Sequence, residues 1–436
     1  MMRSMYSGVS GLRIHQTKMD VIGNNIANVN TVGFKASRVT FSEVFSQTVQ
    51  SATGAGEYTG GTNPMQIGLG ASVSSIDINM SEGASQRTDN PLDLQIGGDG
   101  FFVVSDATGN KFTRAGAFSV DEAGNMVNSD GLYVMGWPVN TETNEIQTGK
   151  VEKMQILSAE NVYSEPSATE FVTLTGNINK NDSDLTDDGV IFVAQFNDSL
   201  GYQYSGEFKI TQSTTGANVF DVTLVENSIV DSEGNAAATE NYTNSEVATT
   251  ITFNTATGKV DETAVGGGSF LMEGLTTEFS TFNDIEVDFS GMTMFSGNST
   301  VEAVSGDSDG LGAGNEAGTI SGYEVGTDGK VVGRYTNGET KTLGQLVVAT
   351  FDNPAGLEKI GGNLFVATNN SGTFDGIGDD ITSSGGKFNA GVLEMSNVDL
   401  SSEFTEMITT QRGFQANSRV ITSSDEMLTE LVNLKR

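Results

Sequence analysis

The 436-residue sequence has no cysteine and a single histidine, His15. Without cysteine, disulfides, thiolate nucleophiles and sulfur-ligated metals are excluded. One histidine cannot supply the several imidazoles of most zinc or iron sites. The acidic glycine turns do not match a calcium-binding loop either, because after Asp307 and Asp309 the closing glutamate position is occupied by Gly318. We therefore predict no metal, no cofactor and no catalytic residue, and we expect that the protein is not an enzyme.

Long apolar runs are missing as well. No stretch of 18 apolar residues occurs, so we predict no insertion into a membrane. The N-terminus lacks the basic segment and apolar stretch of a cleavable signal peptide, so export, if it occurs, proceeds without one. Proline is scarce (5 residues) and glycine abundant (54), while hydrophobic residues make up only 36%. Several small β-rich modules joined by glycine turns fit this composition better than one large core.

Basic residues are few, and the net charge is −34. Residues 1–50 hold five basic and two acidic side chains, a charge of +3, and residues 397–436 hold four and six, a charge of −2. The residues between them therefore carry −35. Nearly neutral ends suit burial, whereas the anionic middle is expected to stay in water. Nucleic-acid binding is disfavoured, because no basic stripe is present to neutralise phosphates.

Both ends of the chain have the periodicity of amphipathic helices, with apolar residues recurring every seven residues. The N-terminal seam consists of Met5, Val9, Leu12, Met19, Ile22, Ile26 and Val29. The C-terminal seam consists of Leu400, Phe404, Met407, Phe414, Ile421, Leu428 and Leu431. We predict a helix from about Met5 to Val29 and a second one capped by Asn397 or Asp399. The two helices are expected to pair, although an ordinary two-helix contact that closes a globular domain has the same periodicity.

Between the helices, short alternating segments and glycine turns predict β-strands. The predicted fold class is a multidomain, mainly β protein with paired, coiled-coil-like terminal helices and nested discontinuous β-domains. The predicted divisions are paired terminal helices (1–30 and 397–436), an extended connector (31–75 and 376–396), a discontinuous β-domain (76–149 and 300–375) and an outer inserted β-domain (150–299). A barrel or sandwich is the simplest expectation for the inserted domain.

Each end of the chain contains a distinctive motif. The N-terminal motif residues are Asn24, Asn25, Ala27, Asn28, Asn30, Thr31, Gly33, Phe34 and Lys35. The asparagines of this motif tolerate left-handed backbone and cap carbonyls, and Gly33 is expected to stop the helix. At the C-terminus the motif comprises residues 396–400 and 411–418. Together the two motifs resemble those of the flagellar rod, hook and hook-associated axial proteins.

The resemblance implies a structural role. The length and the block at 150–299 favour the hook-forming members over the shorter distal rod members. Members of this kind form a curved flexible tube, a universal joint that transmits motor torque and encloses an export channel lined by the terminal helices. The implied partners are further copies of the chain, rod and hook–filament junction proteins, and the hook cap and export apparatus during assembly. The implied location is extracellular, in the hook and basal body.

Other functional interpretations of the sequence remain open. A distal rod or other axial protein has the same terminal motifs. A secreted acidic surface protein or adhesin also accounts for the composition and charge. In such a protein the two terminal helices of one molecule would pair only with each other and form a stalk. A polysaccharide-acting enzyme with carboxylates in the 150–299 block is a weaker alternative, because no acid pair is distinguishable among 56 acidic residues.

Overall fold

The computed structural model describes residues 2–56, 58–140, 143, 145–186, 189–225, 228–232, 249–261, 268–272 and 282–434. Parts of the predicted inserted block, and the last two residues of the predicted C-terminal helix, lie outside these residues. The chain divides into two compact units. Unit 1 comprises Met1–Ser158, Tyr323–Gly333 and Thr342–Arg436, and unit 2 comprises Ala159–Gly322 and Arg334–Lys341.

Two long helices lie at the ends of the chain, both in unit 1: α1 (Met2–Ala27) and α2 (Leu400–Asn433). Asp399 is the N-cap of α2, and its carboxylate accepts hydrogen bonds from the backbone N–H groups of Ser401 and Ser402. The prediction of a mainly β fold with paired terminal helices is confirmed. No helix within the described residues has the length and apolar character needed to cross a membrane.

Within the described residues, the remaining elements are short strands and three 3-10 turns, Ser183–Leu185, Pro354–Gly356 and Ile381–Ser384. The first strands are β1 (Ser37–Glu43), β2 (Ser46–Gln50), β3 (Met65–Gly68), β4 (Ala71–Ile78), β5 (Ser85–Arg87), β6 (Leu94–Gly97), β7 (Phe101–Asp106), β8 (Gly109–Thr113), β9 (Phe118–Val120), β10 (Met126–Asn128), β11 (Tyr133–Pro138) and β12 (Glu152–Lys153). Next come β13 (Tyr163–Ser164), β14 (Phe171–Asn177), β15 (Val190–Asn197), β16 (Gln203–Gln212), β17 (Val219–Leu224), β18 (Val230–Asp231), β19 (Thr249–Thr252), β20 (Ser269–Met272), β21 (Ile285–Thr293) and β22 (Thr300–Ser305). The last are β23 (Gly318–Val325), β24 (Lys330–Tyr335), β25 (Thr340–Leu346), β26 (Val348–Ala349), β27 (Glu358–Gly361), β28 (Leu364–Val366), β29 (Lys387–Ala390) and β30 (Val392–Glu394).

Residues 37–78 of unit 1 form a long antiparallel hairpin, here called the arm. Its base pairs β1 with β4, from Ser37 opposite Ile78 to Glu43 opposite Ala71. Its outer part pairs β2 with β3. Much of this segment was predicted as an extended connector without a core of its own. The extended chain folds back on itself because the backbone N–H and C=O groups of one half pair with those of the other.

The core of unit 1 is a sheet in the order β25-β11-β7-β8-β28-β27. Two small sheets, β5 with β30 and β6 with β29, join the start of this unit to the segment that precedes α2. The C-terminal chain therefore completes pairs begun some 300 residues earlier. The buried side chains of this core include Phe101, Val103, Phe112, Trp137, Val151, Val347, Leu357 and Phe365.

Unit 2 contains two sheets, β20-β21-β14-β22 and β15-β16-β17-β19, with β18 paired to β16. Inward-facing residues of both sheets form one hydrophobic cluster, which is the arrangement of a β-sandwich. Most strand pairs are antiparallel, but β14 and β21 run parallel. The cluster includes Val172, Leu174, Phe192, Phe208, Phe220, Val222, Ile251, Val287 and Phe289.

Candidate assembly interface

The two terminal helices run antiparallel along a row of mostly small and polar residues. At one end Ser4 Oγ lies 3.4 Å from Ser424 Oγ. At the other end Asn25 Nδ2 donates to Glu403 Oε1 at 2.9 Å. The α1 residues of this row recur at spacings of four and three, as coiled-coil contact positions do. They are Ser4, Gly8, Gly11, His15, Lys18, Ile22 and Asn25.

Glycines set how closely the helices approach. A Cβ atom at Gly11 would lie 2.5 Å from Asn417 Nδ2, and one at Gly8 would lie 3.1 Å from Ile421 Cγ1. From the other side, a Cβ atom at Gly413 would lie 2.6 Å from Nε2 of His15. Glycine inside a helix costs about 1 kcal/mol relative to alanine. We infer that close packing of α1 against α2 offsets this cost.

Apart from Ile22, which belongs to both, the predicted N-terminal seam lies beside this contact row. Of its seven members only Ile22 is buried, while Val9 is 40% exposed. Ser10, by contrast, meets the arm, since its hydroxyl accepts from the backbone N–H of Ala71 at 3.4 Å. By the helical period of 3.6 residues, the seam and Ser10 flank the α2 contact on opposite sides. The half-buried members are Met5, Leu12, Met19, Ile26 and Val29.

The predicted C-terminal seam divides into two groups. Met407, Phe414, Ile421 and Leu428 are half-buried on the side of α2 that carries the buried residues Thr410 and Ser424. The other three residues are exposed: Leu400 by 38%, Phe404 by 49% and Leu431 by 51%. The structure thus brings four members of the seven-residue row towards α1, whereas Leu400, the first member of that row, is exposed together with Phe404 and Leu431.

The N-terminal motif begins at the end of α1, where Asn25 is 1% exposed. Its amide donates to the backbone oxygen of Ser37 at 2.8 Å and accepts from the N–H of Ser37 at 3.0 Å. Asn28 Nδ2 donates to the backbone oxygen of Asn24 at 2.9 Å, and Thr31 Oγ1 donates to Asn28 Oδ1 at 3.1 Å. The asparagines thus act through their side chains, since none of them has a positive φ. Asn24, Ala27 and Asn30 are exposed.

The second half of the motif docks into the β-core. The helix has already ended at Ala27, and Gly33 has a φ of +69°. A Cβ atom at Gly33 would lie 2.6 Å from the backbone nitrogen of Ala115, so only glycine fits there. The ring of Phe34 is buried, with the ammonium of Lys359 4.7 Å from its centroid. Gly33 therefore allows close docking instead of stopping the helix.

Lys35 ends the motif in a buried ion pair. Its Nζ lies 2.6 Å from Glu394 Oε1, and both side chains are 1% exposed. Nη1 of Arg114, also buried, lies 3.6 Å from the other oxygen of Glu394. Burial lowers the pKa of Lys35, while the neighbouring Glu394 carboxylate opposes that change. One carboxylate, 359 residues further along the chain, thus faces two buried cations.

The same carboxylate also holds backbone in place. The backbone N–H of Gly83 donates to Glu394 Oε1 at 2.9 Å, and Lys35 Nζ donates to the backbone oxygen of Ser81 at 2.8 Å. The N–H of Gly33 donates to the backbone oxygen of Glu394 at 2.8 Å. Glu394 lies in β30, which leads towards α2. It therefore joins this strand to the chain just before the arm, at Gly33 and Lys35, and to the chain just after the arm, at Gly83.

We expect the helix pair to lose stability on acidification through His15. Burial lowers the pKa of His15 below its ordinary value of 6.5, and the neighbouring Lys18 lowers it further. The unfolded state therefore binds the proton first, so stability present above about pH 6.5 is lost as the pH falls through the lowered pKa. Across the contact, α2 presents Gly413 to the ring, while Glu406 pairs with Lys18 at 2.9 Å.

Glu403 contributes with the opposite sign. Burial raises its pKa, with the hydrogen bond from Asn25 opposing, so its contribution is present at low pH and lost as the pH rises. Because Glu403 is present both in the unmodified chain and in the His15→Gln variant, the difference between the two chains does not contain the contribution of Glu403. The measurement is the temperature at which assembled polymers dissociate, at about pH 7.5 and pH 5.5. The unmodified chain should lose more stability than His15→Gln, and equal losses would contradict the role of His15.

Sequence reasoning missed two features of this interface. The glycine row carries no hydrophobic signal, although the four-three spacing is visible in Ser4, Gly8 and Gly11. Glu394 and Arg114 are distant in sequence from the motif residue Lys35, and no local pattern connects them with it.

Comparisons with known proteins show which family this chain resembles. The chain matches the family descriptions "Flagella basal body rod protein" over residues 5–35, "Flagellar hook protein FlgE/F/G D1 domain" over 95–163 and "Flagellar basal body rod FlgEFG protein C-terminal" over 389–434. It is 37% identical over 459 residues to the flagellar hook protein FlgE of Borreliella burgdorferi, with all of both chains covered. The corresponding identity is 35% for FlgE of Treponema pallidum and 32% for the flagellar basal-body rod protein FlgG of Bacillus subtilis, again over the full chains.

A solved structure, that of Helicobacter pylori flagellar hook protein FlgE2, aligns with 71% of this chain at a TM-score of 0.42 and 15% identity. The full-length relatives and the terminal matches define a class of axial structural proteins. The chain belongs to the family of flagellar hook and basal-body rod proteins. Within that family it is a structural subunit of the flagellar hook.

Proposed function

We propose that this chain assembles with copies of itself into a short curved tube, which acts as a flexible joint and transmits motor torque to the filament. The observation that carries the proposal is the antiparallel helix pair with a partly exposed apolar row beside it. Met5, Val9 and Leu12 border the contact with α2 without filling it. Burial of that row against a neighbouring copy would supply the hydrophobic driving force for assembly.

The terminal helices are proposed to line a central export channel, as in the resemblance described above. Their nearly neutral charge suits a surface buried between copies, whereas the acidic inserted block suits contact with water. A joint that bends while rotating needs neighbouring subunits to slide. Polar, glycine-rich surfaces support such weak contacts better than a large apolar interface does.

The proposed partners beyond further copies are the rod and hook–filament junction proteins, with the hook cap and the export apparatus acting during assembly. The proposed location is outside the cell, after export as an unfolded chain without a cleavable signal peptide. The absence of cysteine suits such export, because a premature disulfide would block a narrow channel. The role is structural, without catalysis, nucleic-acid binding or insertion into a membrane.

The free subunit is proposed to have largely disordered termini that fold on assembly. A helix of 26 residues with an incompletely covered apolar row gains most of its stability from packing. Protease-resistant termini in a monodisperse monomer would contradict this part of the proposal.

Electron microscopy of the purified full-length chain under polymerising salt tests the proposal, beside a version that lacks residues 1–30. We expect curved tubes from the full chain and none from the truncated chain. Straight tubes would favour a rod role. If both chains remained folded monomers, the acidic adhesin interpretation would replace the present one.

A further inference from the structure

Asn397 is one of the two residues that the sequence predicts as the cap of α2, but Asp399 takes that role. The side chain of Asn397 contacts both ends of the arm instead. Its Oδ1 accepts a hydrogen bond from the backbone N–H of Ala36 at 2.8 Å. Its Nδ2 donates to the backbone oxygens of Asn79, at 2.9 Å, and Ser81, at 3.0 Å. One amide thus joins the chain that leads into α2 to the chain on both sides of the arm.

Asn25 makes the matching contacts from the end of α1. Its amide donates to the backbone oxygen of Ser37 and accepts from the backbone N–H of the same residue. Nδ2 of Asn25 also donates to Oε1 of Glu403, which belongs to α2. Two asparagines, one beside each terminal helix, therefore hold residues 36–37 and 79–81, here called the feet of the arm.

The feet of the arm have their own contacts with the β-core. The N–H of Asn79 donates to the oxygen of Ala36 at 2.8 Å, which pairs the two feet with each other. Lys35 Nζ donates to the backbone oxygen of Ser81 and lies 2.6 Å from Glu394 Oε1. The feet are thus fixed on the β-core by a buried ion pair that does not involve either helix.

Packing between the helix pair and the β-core is incomplete next to these contacts. A cleft of about 590 Å³ lies there, with Ile22 of α1, Val39 of β1 and Pro354 among the residues that line it. Asn397 and Glu403 also belong to its lining. Where side chains do not fill the space between two parts of a structure, directional hydrogen bonds have more influence on their relative position.

We propose that Asn25 and Asn397 form a clamp, which closes as the terminal helices fold during assembly and fixes the helix pair relative to the feet of the arm. The inference rests on the proposed polymerisation and on the proposed folding of the termini during assembly. The feet belong to the folded β-core of the free subunit, whereas the two amides arrive with the helices. Closing the clamp therefore stabilises the assembled state and leaves the stability of the free β-core unchanged.

The test replaces each amide by a carboxylate of nearly the same shape. An ionised aspartate only accepts hydrogen bonds, so Asn397→Asp would face two backbone oxygens without a donor. Asn25→Asp would likewise face the backbone oxygen of Ser37. Asn30→Asp is the matched control, because Asn30 is an exposed asparagine of the same motif as Asn25 and the change in charge is identical.

Two measurements are made on each variant. Urea unfolding of the free chain, followed by the fluorescence of Trp137, reports on the β-core, and sedimentation gives the critical concentration for polymerisation. We expect all three variants to unfold at the same urea concentration as the unmodified chain. Asn397→Asp and Asn25→Asp should need at least about tenfold more protein to polymerise, because each loses its donated hydrogen bonds, whereas Asn30→Asp should polymerise as the unmodified chain does.

The outcomes separate this inference from the proposed function. If the unmodified chain forms no polymer, the proposed function fails and the clamp fails with it. If the unmodified chain polymerises and either clamp variant matches Asn30→Asp, the two amides do not act together, which overturns the inference alone. A lower urea midpoint for the clamp variants would mean that the amides support the free β-core. Equal losses of assembly in all three variants would mean that added charge controls assembly. Either of these results also overturns the inference.

Discussion

Replacing Glu394 by alanine is expected to destabilise unit 1 by about 3–5 kcal/mol, because removing one partner of a buried ion pair leaves an uncompensated buried charge. Here the loss leaves two cations, Lys35 and Arg114, that are 1% and 4% exposed. It also removes the acceptor for the backbone N–H of Gly83. The free energy of unfolding can be measured by urea titration with tryptophan fluorescence. The only tryptophan, Trp137, is buried in the core of unit 1 and reports on that unit alone.

Two further variants separate the effect of the ion pair from the effect of losing any carboxylate. Glu122→Ala removes an exposed carboxylate from a turn of the same unit and should change stability by less than about 0.5 kcal/mol. Glu394→Gln keeps an acceptor for Gly83 but leaves both cations unpaired, so it should cost nearly as much as Glu394→Ala. If Glu394→Ala and Glu122→Ala unfold at the same urea concentration, the ion pair does not stabilise the unit.

Replacing Gly11 by valine is expected to prevent assembly at concentrations where the unmodified chain polymerises. The first added carbon would lie 2.5 Å from Nδ2 and 2.8 Å from Cγ of Asn417, and the branched methyl groups would need further space between the helices. Overpacking a close contact costs about 1–3 kcal/mol, which corresponds to a factor of roughly 5 to 150 in the assembly equilibrium. The measurement is the critical concentration for polymerisation.

Gly23→Val is the matched control on the same helix. A Cβ atom at Gly23 would meet nothing within 4 Å, and valine has the better helix propensity, so this variant should assemble at least as well as the unmodified chain. Equal critical concentrations for the two valine variants would mean that α1 and α2 do not approach closely at Gly11 in the polymer.

The helices and the fold class were predictable because their signals are local. Heptad apolar residues such as Met407 and Phe414 predicted α2, and Asp399 supplied the cap that begins it. Alternating residues and glycine turns likewise predicted a mainly β middle. The sheet partners were not predictable, because β5 and β6 pair with β30 and β29, some 300 residues away.

The details of the candidate site depend on contacts that single-sequence patterns do not encode. The helix contact row runs through Gly8, Gly11 and Asn25, which lie one position from the apolar seam and carry little hydrophobic signal. Lys35 was singled out as a motif residue, but nothing near it in sequence indicates that its partner is Glu394. In each case the determining interaction joins distant parts of the chain.

The most direct test of the central claim is a helical reconstruction by electron cryomicroscopy of the polymer formed by the full-length chain. The account predicts that α1 and α2 surround a central channel and that the row containing Met5, Val9 and Leu12 lies against a neighbouring subunit. A polymer whose terminal helices lie on the outer surface, with this row open to solvent, would contradict it.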